Sequence, residues 1–376
     1  MTDDHHDSES GSAWRELVET LGRLDRSFTE GDRAVVDDRN LADGYRMLAT
    51  TLGVAFDTYL FAEPSRPQFI ELNTPFRRDR RWGGDNTDAW YHLCPVDERR
   101  RYRISGNRGD SVYFSVTAYN EPAPGSWSDR VVRIVNDSDL DSAGSIDAAG
   151  DFSFEIGPLP GMAVLVTRDY QVDPVAGRPV RWQIEALDDP EPIRHGDQET
   201  AAALRACAAW LRTMFAIVPL AVGARVDDAH ALGHEVTQVA NEFGEPYQVP
   251  DGNFGWSARD ACYSYGSFVL GDDEALVVTH RPPQCRFWNM VVWNQFMGGH
   301  IVTDARVSVN GHTAVPNSDG SVTIVIAKGP TAHPNSVSTV DYPRGNFAFR
   351  WFHADNVPAR PDTALVALAE APTAVF

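Results

Sequence analysis

The spacing of apolar positions changes period several times along the chain. Over residues 12–21, Trp14, Leu17, Val18 and Leu21 recur three and four apart, which predicts an amphipathic helix. A longer helix is predicted over about residues 40–60, with Leu41, Tyr45, Leu48, Leu52 and Phe56 as its stripe. From Pro64 to Leu187 the period drops to two. Strands are predicted at 68–72, around 90–93, and at 102–106, 111–120, 152–156, 163–167 and 180–184. In the strand over 111–120, Val112, Phe114, Val116 and Ala118 make the inward face. The charged, proline-interrupted run 188–196 reads as a linker. Two more helices are predicted, 200–215 with Leu204, Cys207, Leu211 and Phe215 as its stripe, and 227–243. Strands resume at 263–270, 274–279, 302–309, 321–327, 347–352 and 364–368.

Between them lies the run Arg286-Phe287-Trp288-Asn289-Met290-Val291-Val292-Trp293-Asn294-Gln295-Phe296. It is dense in aromatic and β-branched residues and apolar on both faces, the signature of a central strand covered on two sides. Each face also carries an amide, which when buried must find hydrogen-bond partners. The amides serve either a ligand cavity or the neighbouring backbone.

The two halves share a pattern that is either an internal repeat or convergent β-patterning. Phe114-x4-Tyr119-Asn120 parallels Trp288-x4-Trp293-Asn294, and residues 152–157 parallel 322–329. Each half then reaches an aromatic strand, around Trp182 and around Trp351. Helices before strands, twice, predict an α+β, mainly β fold of two related units. The divisions expected are a disordered tail over 1–11, a helical segment over 12–62, a first β unit over 63–190, and a helical pair with a second β unit over 197–376.

Composition narrows the function. The 376 residues suffice for two cores, and 43% are apolar. A formal charge of −20 argues against nucleic acid and against anionic membrane surfaces, which need a basic footprint. The polar, acidic start, Met1 to Gly11, is unlike a signal peptide. Cys94, Cys207, Cys262 and Cys285 are dispersed, with no Cys-x-x-Cys pair, as expected of reduced cytoplasmic thiols. No nucleophile elbow, P-loop or dinucleotide fingerprint occurs.

The run Gly84-Asp85-Asn86-Thr87-Asp88-Ala89-Trp90-Tyr91, Tyr102-Arg103-Ile104-Ser105-Gly106, Gly109-Asp110 and Tyr113 resembles bacterial proteins that pair the domains of unknown function 1254 and 1214. In the second half, Arg281-Pro282-Pro283, Phe287-Trp288, Trp293-Asn294, Asp341-Tyr342-Pro343 and Trp351-Phe352-His353 are similar to the 1214 domain. The likeness covers roughly residues 80–370, with a shortened first half. It implies jelly-roll-like antiparallel β-sandwich units. The family's activity is unassigned, so it implies no catalytic residue.

Several groups carry candidate chemistry. Arg350 enters an apolar strand face, where it either pairs with a buried carboxylate or meets an anionic ligand. His353 and Asp355 make an acid–base pair or merely share a loop. Gly298-Gly299-His300 and His280 flank the central strand, and His333 sits in a further loop. The Gly83–Asp88 loop is oxygen-rich but lacks calcium-loop spacing. His230 and His234 stand four apart without a third zinc ligand. The expected site is a hollow in the C-terminal half, with His300, His353 and Arg350 as catalytic residues. Trp288, Trp293, Asn294, Tyr342, Arg344 and Asp355 would bind the ligand.

These residues suit a cofactor-independent, metal-free enzyme on a small, partly apolar organic molecule. Arg350 or Arg344 would hold an oxygen and His300 or His353 would move a proton. The alternatives are a carbohydrate- or small-molecule-binding module and a structural oligomer. A small ligand and self-association are the partners expected. A closed pocket favours catalysis, and aromatics in a shallow groove favour sugar binding.

Overall fold

The computed structural model describes residues 8–192, 195–220, 222, 239–250 and 255–376. The first half supplies helices α1 (Glu9–Leu24), α2 (Arg26–Thr29) and α3 (Asp38–Ala55), the last widening into an extra turn over Phe56–Leu60. Then come strands β1 (Ile70–Asn73), β2 (Ala89–Pro95), β3 (Tyr102–Asn107), β4 (Tyr113–Tyr119) and β5 (Val131–Asn136), and helix α4 (Asp137–Ser142). Strands β6 (Asp151–Ile156), β7 (Val164–Tyr170) and β8 (Arg181–Ala186) complete it. The second half opens with α5 (Asp197–Phe215), followed by β9 (Glu242–Phe243), β10 (Tyr247–Gln248), β11 (Ala261–Val269), β12 (Glu274–His280) and β13 (Phe287–Trp293). It ends with β14 (Ser308–Asn310), β15 (Val322–Ala327), β16 (Ser336–Ser338), β17 (Arg344–Phe352) and β18 (Asp362–Ala367).

The fold is α+β and mainly β, as the periodicity predicts. Four sheets form. A large sheet ordered β1-β2-β7-β4-β5 packs on a small one ordered β6-β3-β8. A second large sheet, β10-β11-β17-β13-β14 with β9 also on β11, packs on β16-β15-β12-β18. Each pair closes a sandwich core. Phe114, Val116, Leu165 and Phe152 fill the first, and Met290, Val292, Ile324, Phe349 and Trp351 fill the second. Alternation along a strand sends the other residues of each large sheet the opposite way. Those residues meet. Tyr91, Tyr113, Tyr119, Val166 and Tyr170 of one sheet join Ala261, Tyr263, Phe287 and Phe352 of the other in a single cluster, which the helices complete.

The two halves repeat one topology. Strands β1, β2, β7, β4 and β5 stand in the same order as β10, β11, β17, β13 and β14, and β6-β3-β8 matches β15-β12-β18. The repeat read from the sequence aligns correctly on β4 with β13 and on β6 with β15. The aromatic strands pair differently. The Trp351 strand β17 corresponds to β7, while the Trp182 strand β8 corresponds to β18. Aromatic content alone misled there, because it tracks burial rather than position in a sheet.

Several boundaries and faces differ from expectation. The segment over 1–11 is not all tail. Ser8 caps α1 by accepting from Gly11 N–H, so the helix starts at Glu9, and residues 1–7 lie outside those described. The predicted stripe of the second helix is half exposed, with Tyr45 at 51%. The buried face of α3 runs through Asn40, Asp43, Gly44, Met47, Thr51 and Val54. That face is polar and small because it packs on loops that need hydrogen-bond partners. Strand β4 is buried throughout, so Tyr113, Ser115, Thr117 and Tyr119 also face a core. The predicted helix over 227–243 lies mostly outside the described residues, and its end, Glu242–Phe243, is strand β9. The His230–His234 pair also lies outside them. Helix α5 packs on α1 and α3 rather than belonging with the second sandwich alone.

Candidate functional site

A cavity of about 120 Å³ lies between the two large sheets. Strands β2 and β7 give it Tyr91, Val166, Arg168 and Tyr170, and strands β11 and β17 give it Tyr263, Tyr265 and Arg350. The loop before β2 adds Trp82, Gly84 and Asp85, and α5 with the segment after it adds Met214, Ile217 and Leu220. Trp127 and Trp256 close another side. A cavity near 150 Å³ is enough for a molecule the size of benzene.

Arg168 and Arg350 are 3% and 4% exposed. Among the described residues neither makes an ion pair with a carboxylate. Arg168 is held by its own half of the chain and by one carbonyl. Its Nη1 donates to Thr117 Oγ1 at 3.1 Å, and its Nη2 donates to the Tyr119 hydroxyl at 2.7 Å and to the Trp256 carbonyl. Arg350 donates through Nη2 to the Gly84 carbonyl, and its Nη1 has no hydrogen-bond partner among the described residues. Its guanidinium lies 5.0 Å from the Trp293 ring centre and 5.8 Å from that of Tyr263, in cation–π range. A buried charge without an ion-pair partner is costly, and Asp85 acts on Arg350 only through space, so this arrangement favours a further counter-charge.

The tyrosines do not provide it. Burial raises the pKa values of Tyr91, Tyr170 and Tyr265, which keeps their hydroxyls neutral. Asp85 lines the same cavity, but its oxygens are taken by Arg81 at 2.6 Å and by Gly299 N–H at 2.6 Å. Burial pushes its pKa up despite Arg81. The cavity therefore offers an unpaired N–H donor on Arg350 and a second unpaired donor, Trp82 Nε1. Its apolar walls come from Leu72, Val166, Met214, Ile217 and Leu220.

The residues expected to form one site fall into four places. Arg350 lines the cavity, and Trp293 stacks against it while donating through Nε1 to the Asp85 carbonyl at 2.7 Å. Trp288 points to the opposite face of β13, into the second sandwich core, where its ring lies 5.2 Å from that of His280. Period two already puts residues 288 and 293 on opposite faces, so they cannot share one wall. His280 is a core histidine whose Nε2 accepts from Trp351 Nε1 at 3.2 Å. His333 is likewise buried in its loop, where Nδ1 accepts from Asn335 N–H at 3.1 Å.

His300, Asn294 and Tyr342 gather instead around Asp43 of α3. Asp43 Oδ2 accepts from Asn294 at 2.8 Å and from the Tyr342 hydroxyl at 2.5 Å. His300 lies 4.8 Å from the Tyr342 ring, and burial lowers its pKa to about 4, so it is neutral. His353 stands apart again, beyond the end of β17, against Tyr113 at 5.2 Å and 4.0 Å from Asp260. Its carboxylate neighbour is thus Asp260 and not Asp355, which is exposed and anchors only its backbone N–H to Gln284. Arg344, at the start of β17, meets α3 through its carbonyl, which accepts from Asn40. Segments adjacent in sequence point apart here because successive strand residues alternate faces. Within the Gly83–Asp88 loop, Gly84 and Asp85 face the cavity, while Asn86 and Asp88 serve structure. Asn86 and Asp88 bind Asn289 at 2.6 and 2.7 Å, satisfying the central strand's buried amide.

Arg168, Tyr91, Tyr170, Tyr263 and Tyr265 were missed. The strand predicted to end at Thr167 runs on to Tyr170. Carrying the alternation Val164, Val166, Arg168, Tyr170 two residues further would have placed an arginine on a buried face.

No family model matches this chain, and no curated protein does. Among solved structures, it is similar to an uncharacterised protein from Burkholderia cenocepacia. That match has a TM-score of 0.83 and 24% identity, over 96% of this chain and 98% of the other. The VPA0106 protein from Vibrio parahaemolyticus matches at a TM-score of 0.49 and 11% identity, over 95% and 100% of the two chains. The first likeness shows the fold.

Proposed function

We propose that this protein binds a small organic carboxylate with an apolar or aromatic body, enclosed between the two large sheets. The observation that carries this is Arg350: 4% exposed, without a carboxylate partner among the described residues, and with Nη1 unpaired. A ligand carboxylate supplies the missing charge and accepts that N–H. Arg168 adds positive potential from the same cavity. The aliphatic wall takes the ligand's body, and the volume limits it to roughly benzene size. The chain's formal charge is −20, so a positive interior is not a by-product of a basic protein.

Neither His300 nor His353 lines the cavity, so this reading gives them no proton-transfer role. Enclosure of the aromatics speaks against a carbohydrate platform. A catalytic reading has one observation in its favour. Asp85, its pKa raised by burial, lines the cavity with Arg350 and is a candidate acid–base group there. The stretch that resembles the 1254-type domain supplies Gly84, Asp85 and Tyr91 to this wall. The four cysteines are free thiols, in keeping with a reducing compartment.

The test is thermal unfolding and calorimetry with benzoate and hexanoate against benzamide and hexanamide. A ligand of the folded state raises the melting temperature with concentration. The carboxylates are expected to do so and the amides not. Equal effects of acid and amide, or no effect of either, would overturn the reading.

A further inference from the structure

A second cavity, of about 200 Å³, lies where the end of α3, helix α5 and the turn after β4 meet. It is lined by Tyr59, Glu121, Trp210 and Trp256, with Asn120 and Ser126 at its margin. Trp210 and Trp256 stack at 5.2 Å and 29° between planes, and the Tyr59 ring lies 6.2 Å from Trp210. Three aromatic rings and one carboxylate thus line the same cavity. The sequence places that carboxylate. Glu121 opens the turn Glu121-Pro122-Ala123-Pro124-Gly125, which brings Gly125 against α5. A Cβ on Gly125 would meet the Ala206 carbonyl at 2.5 Å, so this approach needs glycine. Gly125 N–H then donates to Glu121 Oε1 at 3.1 Å, and the Tyr59 hydroxyl donates to the same oxygen at 2.5 Å.

Glu121 Oε2 has no hydrogen bond, and Glu121 has no cationic partner, among the described residues. The electrostatics reverse those of the first cavity, where the unpaired charge is positive. A carboxylate half sunk among indole and phenol faces is the setting that recognises organic ammonium ions. The ring quadrupoles attract the cation, and the carboxylate supplies full charge.

We propose that this cavity is a binding site for a small organic ammonium group, with Glu121 as its counter-ion and Tyr59, Trp210 and Trp256 as its aromatic walls. Tyr59 and Gly125 hold Oε1, so Glu121 presents Oε2 to the ligand without reorientation. The proposal is independent of the carboxylate reading. Trp256 is the residue the two cavities share.

The experiment titrates the whole chain with tetramethylammonium chloride and methylammonium chloride, read by tryptophan fluorescence. Sodium chloride controls for ionic strength, and tert-butanol serves as the neutral counterpart in shape. Saturable binding of one or both ammonium salts, absent with tert-butanol, is expected. Glu121→Gln keeps an acceptor for Tyr59 and Gly125 and should weaken binding about tenfold by removing the charge. Arg350→Met should leave ammonium binding unchanged while abolishing the response to benzoate, which separates failure of this proposal from failure of the carboxylate reading. The wild-type comparison of tetramethylammonium with tert-butanol decides the matter even if Glu121→Gln does not fold. No saturable response to either ammonium salt, an equal response to tert-butanol, or undiminished affinity in a folded Glu121→Gln variant would overturn it.

Discussion

Arg168 and Arg350 occupy equivalent register positions in two sheets of the same topology, and both line one cavity. Arg168 pairs across its strand with Tyr91 on one side and Ser115 on the other. Arg350 pairs with Tyr263 and Asn289. The neighbouring pairs agree as well, with Tyr170 between Ala89 and Tyr113, and Phe352 between Ala261 and Phe287. The repeated unit therefore carries an arginine flanked by tyrosine on its outer face, and stacking two such faces brings two guanidiniums to one hollow. The copies have diverged in use. Three acceptors hold Arg168, and among the described residues Arg350 leaves Nη1 without one.

That divergence predicts opposite stability effects. Arg168→Met deletes three hydrogen bonds and strands the Trp256 carbonyl, so it should cost about 2 kcal/mol or more. Arg350→Met removes a buried charge that has no ion-pair partner, one carbonyl contact and the cation–π contacts with Trp293 and Tyr263, so the ligand-free protein should be unchanged or stabilised by ~1 kcal/mol. Denaturant midpoints of the two variants, measured without added carboxylate, check this. A large loss in Arg350→Met would mean that its charge is already balanced within the fold.

A second pair of equivalent positions gives an independent contrast. Asn289 donates to Asp88 Oδ2 at 2.7 Å and to Asn86 at 2.6 Å, while Asp88 is 2% exposed. Removing the amide leaves a buried carboxylate held mainly by the Ser308 hydroxyl at 2.8 Å, so Asn289→Ala should cost about 2–4 kcal/mol. Ser115, at the matching register, is 1% exposed and its hydroxyl has no partner among the described residues. Ser115→Ala should be neutral or slightly stabilising, since it removes an unsatisfied buried group. Chemical denaturation of both variants tests the pair, and similar losses in the two would contradict it.

The sequence carried the architecture further than the site. Strand period, the β4–β13 and β6–β15 repeats and the two-sided burial around Trp288 follow from local alternation, which each strand records by itself. The cavity is recorded nowhere locally. Its wall takes one to three residues from each of five strands, with loops and helix α5 added, so it depends on which sheets stack. Arg350 was legible because it breaks an apolar face. Arg168 sits in Thr167-Arg168-Asp169-Tyr170, where polar neighbours mimic a loop. Asp169 is polar yet buried, satisfied by Val180 N–H at 2.6 Å and by Gln171 at 2.6 Å. The helix faces were misread for the same reason. Asn40 and Asp43 are buried because Gln295 N–H, Asn294 and Tyr342 need acceptors, and no hydrophobic stripe encodes that demand.

Asp260 sets a pH dependence. Burial raises its pKa to about 7, even though Tyr113 donates to its Oδ2. The unfolded value is near 3.9, so the folded state binds the proton more tightly. Its stabilising contribution is complete below about pH 4 and is lost as pH rises toward 7. Asp260→Asn keeps an acceptor for Tyr113 and cannot ionise. It should therefore gain on wild type by a few kcal/mol at pH 8, with the gap shrinking as pH falls to about 4. Urea midpoints of both proteins across that range check the sign. A gap that widens toward acid would refute the assignment.

Gly84 tests the link between backbone conformation and the cavity. It has φ +70, its N–H donates to the Met297 carbonyl at 2.9 Å, and its carbonyl accepts from Arg350. A Cβ there would lie 3.0 Å from Met297 Cε and 3.4 Å from the Trp293 ring. Gly83 has φ +69 and nothing within 4 Å of where a Cβ would sit, so it serves as a matched control. Alanine at either position should cost about 1 kcal/mol from left-handed strain. Only Gly84→Ala pushes on Met297 and on the indole that stacks against Arg350, so only it should also weaken benzoate binding. Calorimetry of the two variants separates these effects. Equal benzoate affinity in both would show that the Gly84 loop does not shape the anion site.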